Sequence, residues 1–174
     1  MRLLLLRHAK AEKGEAGMSD RDRPLNARGY KDAPRIGAYI AHHALRPDRA
    51  VVSDSRRTRE TWAGVASALP SPFPVTFEEA LYHAEPEAIL DLARESPRSA
   101  RCVLMVGHNP GLHDAARLLI AAGDIAARER LNEGLPTCGL LVIDFAGNDW
   151  KNLNPRSGRL ERFITPRSLK AAAD

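Results

Sequence analysis

The chain has 174 residues, 44% of them hydrophobic, and a formal charge of +4. That length suits one globular domain, residues 1–174, with an ordinary core. No apolar run approaches the eighteen or so residues that cross a bilayer, which excludes a spanning helix. The mild positive excess, carried by arginine more than lysine, favours anionic partners through long-range attraction. Aromatics are scarce and none interleaves with the basic residues, so a nucleic-acid stacking platform is not expected.

Arg2–Leu6 is short and almost wholly apolar, as expected of a strand buried on both faces of a parallel sheet. The leucine run is too short for a signal segment and meets Arg7, His8 and Lys10 at once, which points to a cytoplasmic protein. Residues 9–23 read as a polar loop. Asn26 caps a helix expected over 27–44, with Ala33, Ile36, Gly37, Ile40 and Ala44 along one face and Pro34 in its early part. Residues 50–52 form the second strand, and a helix over 56–69 stops at Pro70. After the proline-rich connector 70–74, residues 75–77 form a short strand.

A helix is expected over 85–95, with Ile89, Leu92 and Ala93 inward. Residues 101–106 are the third buried strand, followed by helices over 112–122 and 125–131. Residues 137–145 form a fourth strong strand, and 160–165 a weaker one. Cys102 and Cys138 open apolar runs and read as reduced core residues rather than a disulfide, a metal pair or a nucleophile. Arg156, Arg159, Arg162, Arg167 and Lys170 read as a basic tail, and His42–His43 as surface. Strands alternating with helices imply an α/β class: a three-layer α/β/α sandwich around a mostly parallel mixed sheet.

In such sheets ligands bind beyond the carboxyl ends of the strands. The first strand delivers Arg7–His8 there, the second runs into Ser53–Thr58 with Arg56 and Arg57, and the third into Gly107-His108-Asn109-Pro110-Gly111. Two arginines that grip oxygens bidentately, beside two histidines, suit phosphoryl transfer. His8 would attack phosphorus as a neutral imidazole while Arg7, Arg57 and His108 hold the phosphoryl oxygens. No metal or other cofactor is needed for that chemistry.

These segments resemble the histidine phosphatase (phosphoglycerate mutase-like) superfamily. Leu4-Leu5-Leu6-Arg7-His8-Ala9 is similar to its Arg-His-Gly signature, with Ala9 in the manner of the SixA-type phosphohistidine phosphatases. Asp22-Arg23-Pro24-Leu25 with Arg28-Gly29 is similar to a further segment of that branch. Ser53-x-x-x-Arg57-Thr58-x-x-Thr61 resembles the second-arginine motif and selects Arg57 over Arg56; Val106–Gly111 resembles the second-histidine motif. The resemblance implies a phosphoglycerate mutase-like fold and a metal-independent phosphatase with a phosphohistidine intermediate on His8.

Two positions depart from the family pattern. Asp54 stands where a proline is usual, and no glutamate occupies the place of the mutase proton donor, where His83 falls after Glu78 and Glu79. His83 is therefore the candidate proton donor. A site lacking that glutamate suits phosphohistidine on a protein, such as a histidine phosphotransfer domain, or a related phosphoramidate. The alternatives are a small-molecule phosphomonoesterase, a mutase, and a binding module that holds a phosphorylated protein without turnover. A metal hydrolase would use His108, His113, Asp114 and Asp144. Oligomeric state is left open.

Overall fold

The computed structural model describes residues 1–171. Its strands are β1 (Arg2–Arg7), β2 (Arg49–Ser53), β3 (Val75–Glu78), β4 (Cys102–Gly107), β5 (Ile120–Gly123), β6 (Leu140–Phe145) and β7 (Gly158–Ile164). The helices are α1 (Ala27–His42), α2 (Arg56–Ala66), α3 (Pro86–Arg94), α4 (Gly111–Leu119), α5 (Ile125–Glu133) and α6 (Pro166–Ala171). All seven strands join one sheet in the order β3-β2-β4-β1-β6-β7-β5. β1 is parallel to β4, β2 to β4 and β3, and β5 to β7; β6 runs antiparallel to both β1 and β7.

The four leucines of β1 divide between the two faces because successive side chains alternate across a strand. Leu3 and Leu5 pack with Ile89, Leu90 and Ala93 of α3, Leu112 and Leu119 of α4, and Leu131 of α5. Leu4 and Leu6 pack with Ala33, Ile36 and Ile40 of α1, Val65 of α2 and Leu169 of α6. The architecture is thus the expected three-layer α/β/α sandwich around a mixed, mostly parallel sheet. Trp150 is fully buried on the α3 face, and its indole N–H donates to the Ala100 carbonyl at 2.6 Å.

Several boundaries move. Residues 120–123 form the edge strand β5 rather than the end of a helix, because they pair with residues 158–160 of β7. The strand expected from residue 137 begins at Leu140; Cys138 instead takes a left-handed backbone (φ 59°), and its N–H donates to the carbonyls of both Arg7 and His8. In α3 the buried set is Ile89, Leu90 and Ala93, with Leu92 only half-buried. The helix expected to reach Ala44 ends at His42, with Ala44 left-handed beyond it, and α2 stops at Ala66. Pro34 lies midway along α1 rather than in its first turns, where Gly64 of α2 sits against its ring.

Both cysteines are free and buried, and burial pushes each thiol up to about 12, so neither offers a thiolate. His42 and His43 are exposed as expected. Lys170 of the basic tail lies outside the residues whose side chains are described. No helix among the described residues is long and apolar enough to cross a membrane.

Candidate active site

β4 lies between β2 and β1, and the three run parallel, so their carboxyl ends sit side by side. The register pairs Arg7 with Gly107 and Val52 with Val106, which places Arg7–His8, Ser53 and His108 along one rim. A cavity of about 210 Å³ opens there, with Arg7, His8, Arg57, His83 and His108 all in its wall. The four residues expected from the strand ends and the candidate donor His83 are therefore brought together. A larger and more apolar groove of about 440 Å³ lies elsewhere, between the end of α1 and the proline-rich connector, and carries none of them.

Hydrogen bonds fix each side chain. His8 Nδ1 lies 2.7 Å from the Ala9 carbonyl, an acceptor only, so Nδ1 carries the proton and Nε2 keeps a lone pair. Burial, reinforced by the charges of Arg57, Arg7 and Arg23, pushes His8 down to about 4 and keeps it neutral near pH 7. Ala9 N–H donates to Thr61 Oγ1, which in turn donates to the Arg57 carbonyl. That chain ties the His8 loop to the first turn of α2 and accounts for the threonine in the motif.

Arg57 is buried, whereas Arg56 is exposed and paired with Glu60. Arg7 gives one guanidinium hydrogen bond, NH1 to the Leu135 carbonyl at 2.9 Å, and its buried Nε has no acceptor among the described residues. A buried charged donor left so is costly unless an anion completes it.

His108 is buried between Ser53 Oγ, 2.8 Å from its Nε2, and Arg57 NH2, which donates to its Nδ1 at 3.3 Å. Burial, with His8 and Arg57 nearby, holds it far below its ordinary value. If the Ser53 hydroxyl turns from acceptor to donor, Nδ1 takes the proton instead and can donate to an oxyanion without the ring becoming charged. The ring centres of His8 and His108 are 5.2 Å apart, and those of His83 and His108 5.5 Å.

His83 is exposed, stacks on Tyr82 and has a left-handed backbone (φ 50°), a conformation uncommon away from glycine. It follows a 3₁₀ turn and is kept near His108 by Gly111, the first residue of α4, where a Cβ would overlap the Ala84 carbonyl oxygen. Gly111→Ala should therefore displace the 82–84 segment. A loss of about 1–3 kcal/mol is expected, seen as a fall of roughly 2–12 °C in Tm together with reduced turnover.

Some of the cavity's residues had no clear signal in the sequence. Asp20, Arg23, Lys10, Asn109 and Thr137 line it beside the expected set. Asn109 Nδ2 donates to the same Leu135 carbonyl that Arg7 uses. Asp20 accepts from Arg57, Arg23 and Tyr82. Arg23 and Asn109 stand inside quoted motifs, so their types were visible and their roles were not. The metal-hydrolase set is dispersed: His113 bonds the Leu131 carbonyl and Asp144 pairs with Arg2.

The model of the histidine phosphatase superfamily (branch 1) matches residues 3–85. An uncharacterized protein of Mycobacterium tuberculosis is 31% identical, over 93% of this chain and all of its own. The crystal structure described as phosphohistidine phosphatase SixA from Agrobacterium tumefaciens is 30% identical with a TM-score of 0.81, covering 95% of this chain and 97% of that one. This chain belongs to the histidine phosphatase superfamily. Within it, the chain is of the SixA type: a second structure described by that name, from Nakamurella multipartitia, is 26% identical with a TM-score of 0.82 and covers 95% of both chains. As a histidine phosphatase the protein is a phosphatase with a phosphoglycerate mutase-like fold, and the cavity at the strand ends is its candidate active site.

Proposed function

We propose that this phosphatase hydrolyses phosphohistidine on a protein, such as a histidine phosphotransfer domain, or a related phosphoramidate, by way of a phosphorylated His8. The observation that carries the reading is the tautomer of His8. With Nδ1–H held by the Ala9 carbonyl, the unprotonated Nε2 is left in a cavity whose wall includes the guanidinium groups of Arg7 and Arg57 and the ring of His108.

His8 Nε2 attacks phosphorus and the P–N bond to the substrate breaks; Arg7, Arg57 and His108 hold the three outer oxygens as charge shifts onto them. The His8 ring becomes a phosphoimidazolium whose Nδ1–H is already satisfied. Water then attacks phosphorus, the electron pair of the second P–N bond returns to Nε2, and His8 is neutral again. His83 is the proton carrier of the site, taking the proton that water releases and supplying one where a leaving group needs it.

Two further features support a protein substrate. The cavity of about 210 Å³ is smaller than the roughly 300–1,000 Å³ of sites that enclose a small molecule. It admits a phosphoryl group and leaves the leaving group at the mouth, where a partner protein can present it. The names carried by the Agrobacterium and Nakamurella structures point the same way. We place the activity in the cytoplasm, which suits two free, buried cysteines.

The test uses a phosphohistidine-bearing histidine phosphotransfer domain in EDTA-containing buffer, quenched in alkali. Mass spectrometry should find one phosphate on the peptide containing His8, base-stable and acid-labile. Phosphate release with no such intermediate, or faster release from simple alkyl phosphates than from phosphohistidine, would defeat the reading.

A further inference from the structure

Among the described residues lining the active-site cavity, Asp20 is the one carboxylate. Its Oδ2 accepts from Tyr82 OH at 2.6 Å and Arg57 NH2 at 3.0 Å, and lies 3.5 Å from His83 Nε2. Its Oδ1 accepts from Arg23 NH1 at 2.7 Å, and its own carbonyl takes Arg57 NH1 at 2.6 Å. The side chain is 41% exposed, so it faces the mouth of the cavity while holding the guanidinium meant for the phosphoryl group.

Such a placement is unfavourable for a phosphomonoester. Its phosphoryl group is a dianion, and a carboxylate about 4 Å away weakens binding by about thirtyfold even at the dielectric of water, and by more in a partly buried site. A leaving group that is a cation reverses the sign. We propose that Asp20 is a specificity-determining residue that accepts the N–H of a positively charged leaving group, a phosphoimidazolium above all, and disfavours phosphomonoester dianions. This rests on the phosphohistidine reading above and adds to it the means of selection.

In a phosphoimidazolium one ring nitrogen carries phosphorus and the other carries a proton. When His8 Nε2 forms its bond to phosphorus, the electron pair of the breaking P–N bond returns to the leaving ring. The ring departs as neutral imidazole with its N–H still on Asp20, and no proton is delivered to it. Oδ1 has one protein partner and can accept a second hydrogen bond. An alkoxide leaving group would need a proton, and Asp20 is a poor source. The Tyr82 hydrogen bond, with Arg23 and Arg57, holds its carboxyl well below the usual carboxylate range. The pairing thus explains how the site works without the mutase glutamate.

The test compares kcat/KM for wild type, Asp20→Asn and Asp20→Glu on two substrates, a phosphohistidine-bearing phosphotransfer domain and p-nitrophenyl phosphate, with tungstate inhibition measured alongside. Asp20→Asn should lower the phosphohistidine value by about tenfold or more, the loss expected of one charged hydrogen bond. It should raise the p-nitrophenyl phosphate value and tungstate affinity by about thirtyfold. Asp20→Glu keeps the charge and should hold the ratio of the two activities within about threefold of wild type. Equal losses on both substrates would reduce Asp20 to a support for Arg57 and overturn the proposal, as would a loss confined to p-nitrophenyl phosphate. If wild type itself ignores phosphohistidine, the substrate reading fails and this inference goes with it. If wild type is active and the ratio does not move, only the inference fails.

Discussion

In His8→Ala, phosphate release from a phosphohistidine-bearing protein is expected to fall to the rate seen without enzyme, and no phosphoenzyme should form. In the proposed mechanism the side chain that forms the bond to phosphorus has no understudy. His108 is nearest by ring geometry, but its Nδ1 faces Arg57 and its Nε2 is spent on Ser53. Arg57→Lys should cost about 10²–10³ in kcat/KM, because a lysine keeps the charge and loses the fork that spans the phosphoryl oxygens and His108 at once. Arg56→Lys, one residue away, should change activity by less than about twofold, since Arg56 is an exposed partner of Glu60. Rapid-quench measurements on the three variants would check the set. Turnover that survives in His8→Ala would remove His8 from the chemistry, and equal effects at Arg56 and Arg57 would remove the buried guanidinium from phosphate binding.

The second large effect is on stability in mild acid. An unfolded histidine titrates near pH 6.5, whereas burial pushes His8 in the fold down to about 4. Above pH 6.5 both states are neutral and the group contributes no pH dependence. As pH falls from 6.5 to 4, the unfolded chain gains a proton that the fold refuses, so stability drops by about 1.4 kcal/mol per unit, on the order of 3 kcal/mol in all. His108 is shifted in the same direction and extends the loss to lower pH. Asp20, held low by its partners, stabilises the fold above the normal carboxylate range, and that contribution disappears only as pH falls further. Urea midpoints between pH 4 and 8 should show the slope, and His8→Asn should flatten it by roughly one proton's worth. An identical slope in wild type and variant would mean that His8 is not held neutral.

The part of this molecule that could be read from sequence is the part built from local runs. β1, β2, β4 and β6 are continuous apolar segments, and their buried faces leave little choice of element. The residues following β1, β2 and β4 were correctly placed at one rim because parallel strands put their carboxyl ends together. β5 was not legible: Ile120–Gly123 continues an alanine- and leucine-rich helix, and only pairing with β7, nearly forty residues on, makes it a strand. Asp20 escaped because Ser19-Asp20-Arg21-Asp22-Arg23 offers two carboxylates that look alike. In the fold, Asp22 accepts from Ser19 at the surface while Asp20 meets Arg57. His83 could be named as a candidate, but its distance from His108 depends on Gly111 admitting the Ala84 carbonyl, a contact between two backbones.

Arg7 and Asn109 both donate to one carbonyl, that of Leu135, on the peptide bond leading into Pro136. Leu135 itself is a buried core side chain on the far face of the sheet from α1. A systematic side-chain scan would therefore score position 135 only for its packing. Valine or methionine there would leave the acceptor intact, and the position would pass as tolerant. The oxygen belongs to a tertiary amide, which proline at 136 guarantees, so it is the identity of the following residue that sets how electron-rich this shared acceptor is. In a library built to alter this enzyme, the informative substitution for Arg7 and Asn109 lies at Pro136, an exposed position with no side-chain contact to the chemistry to recommend it.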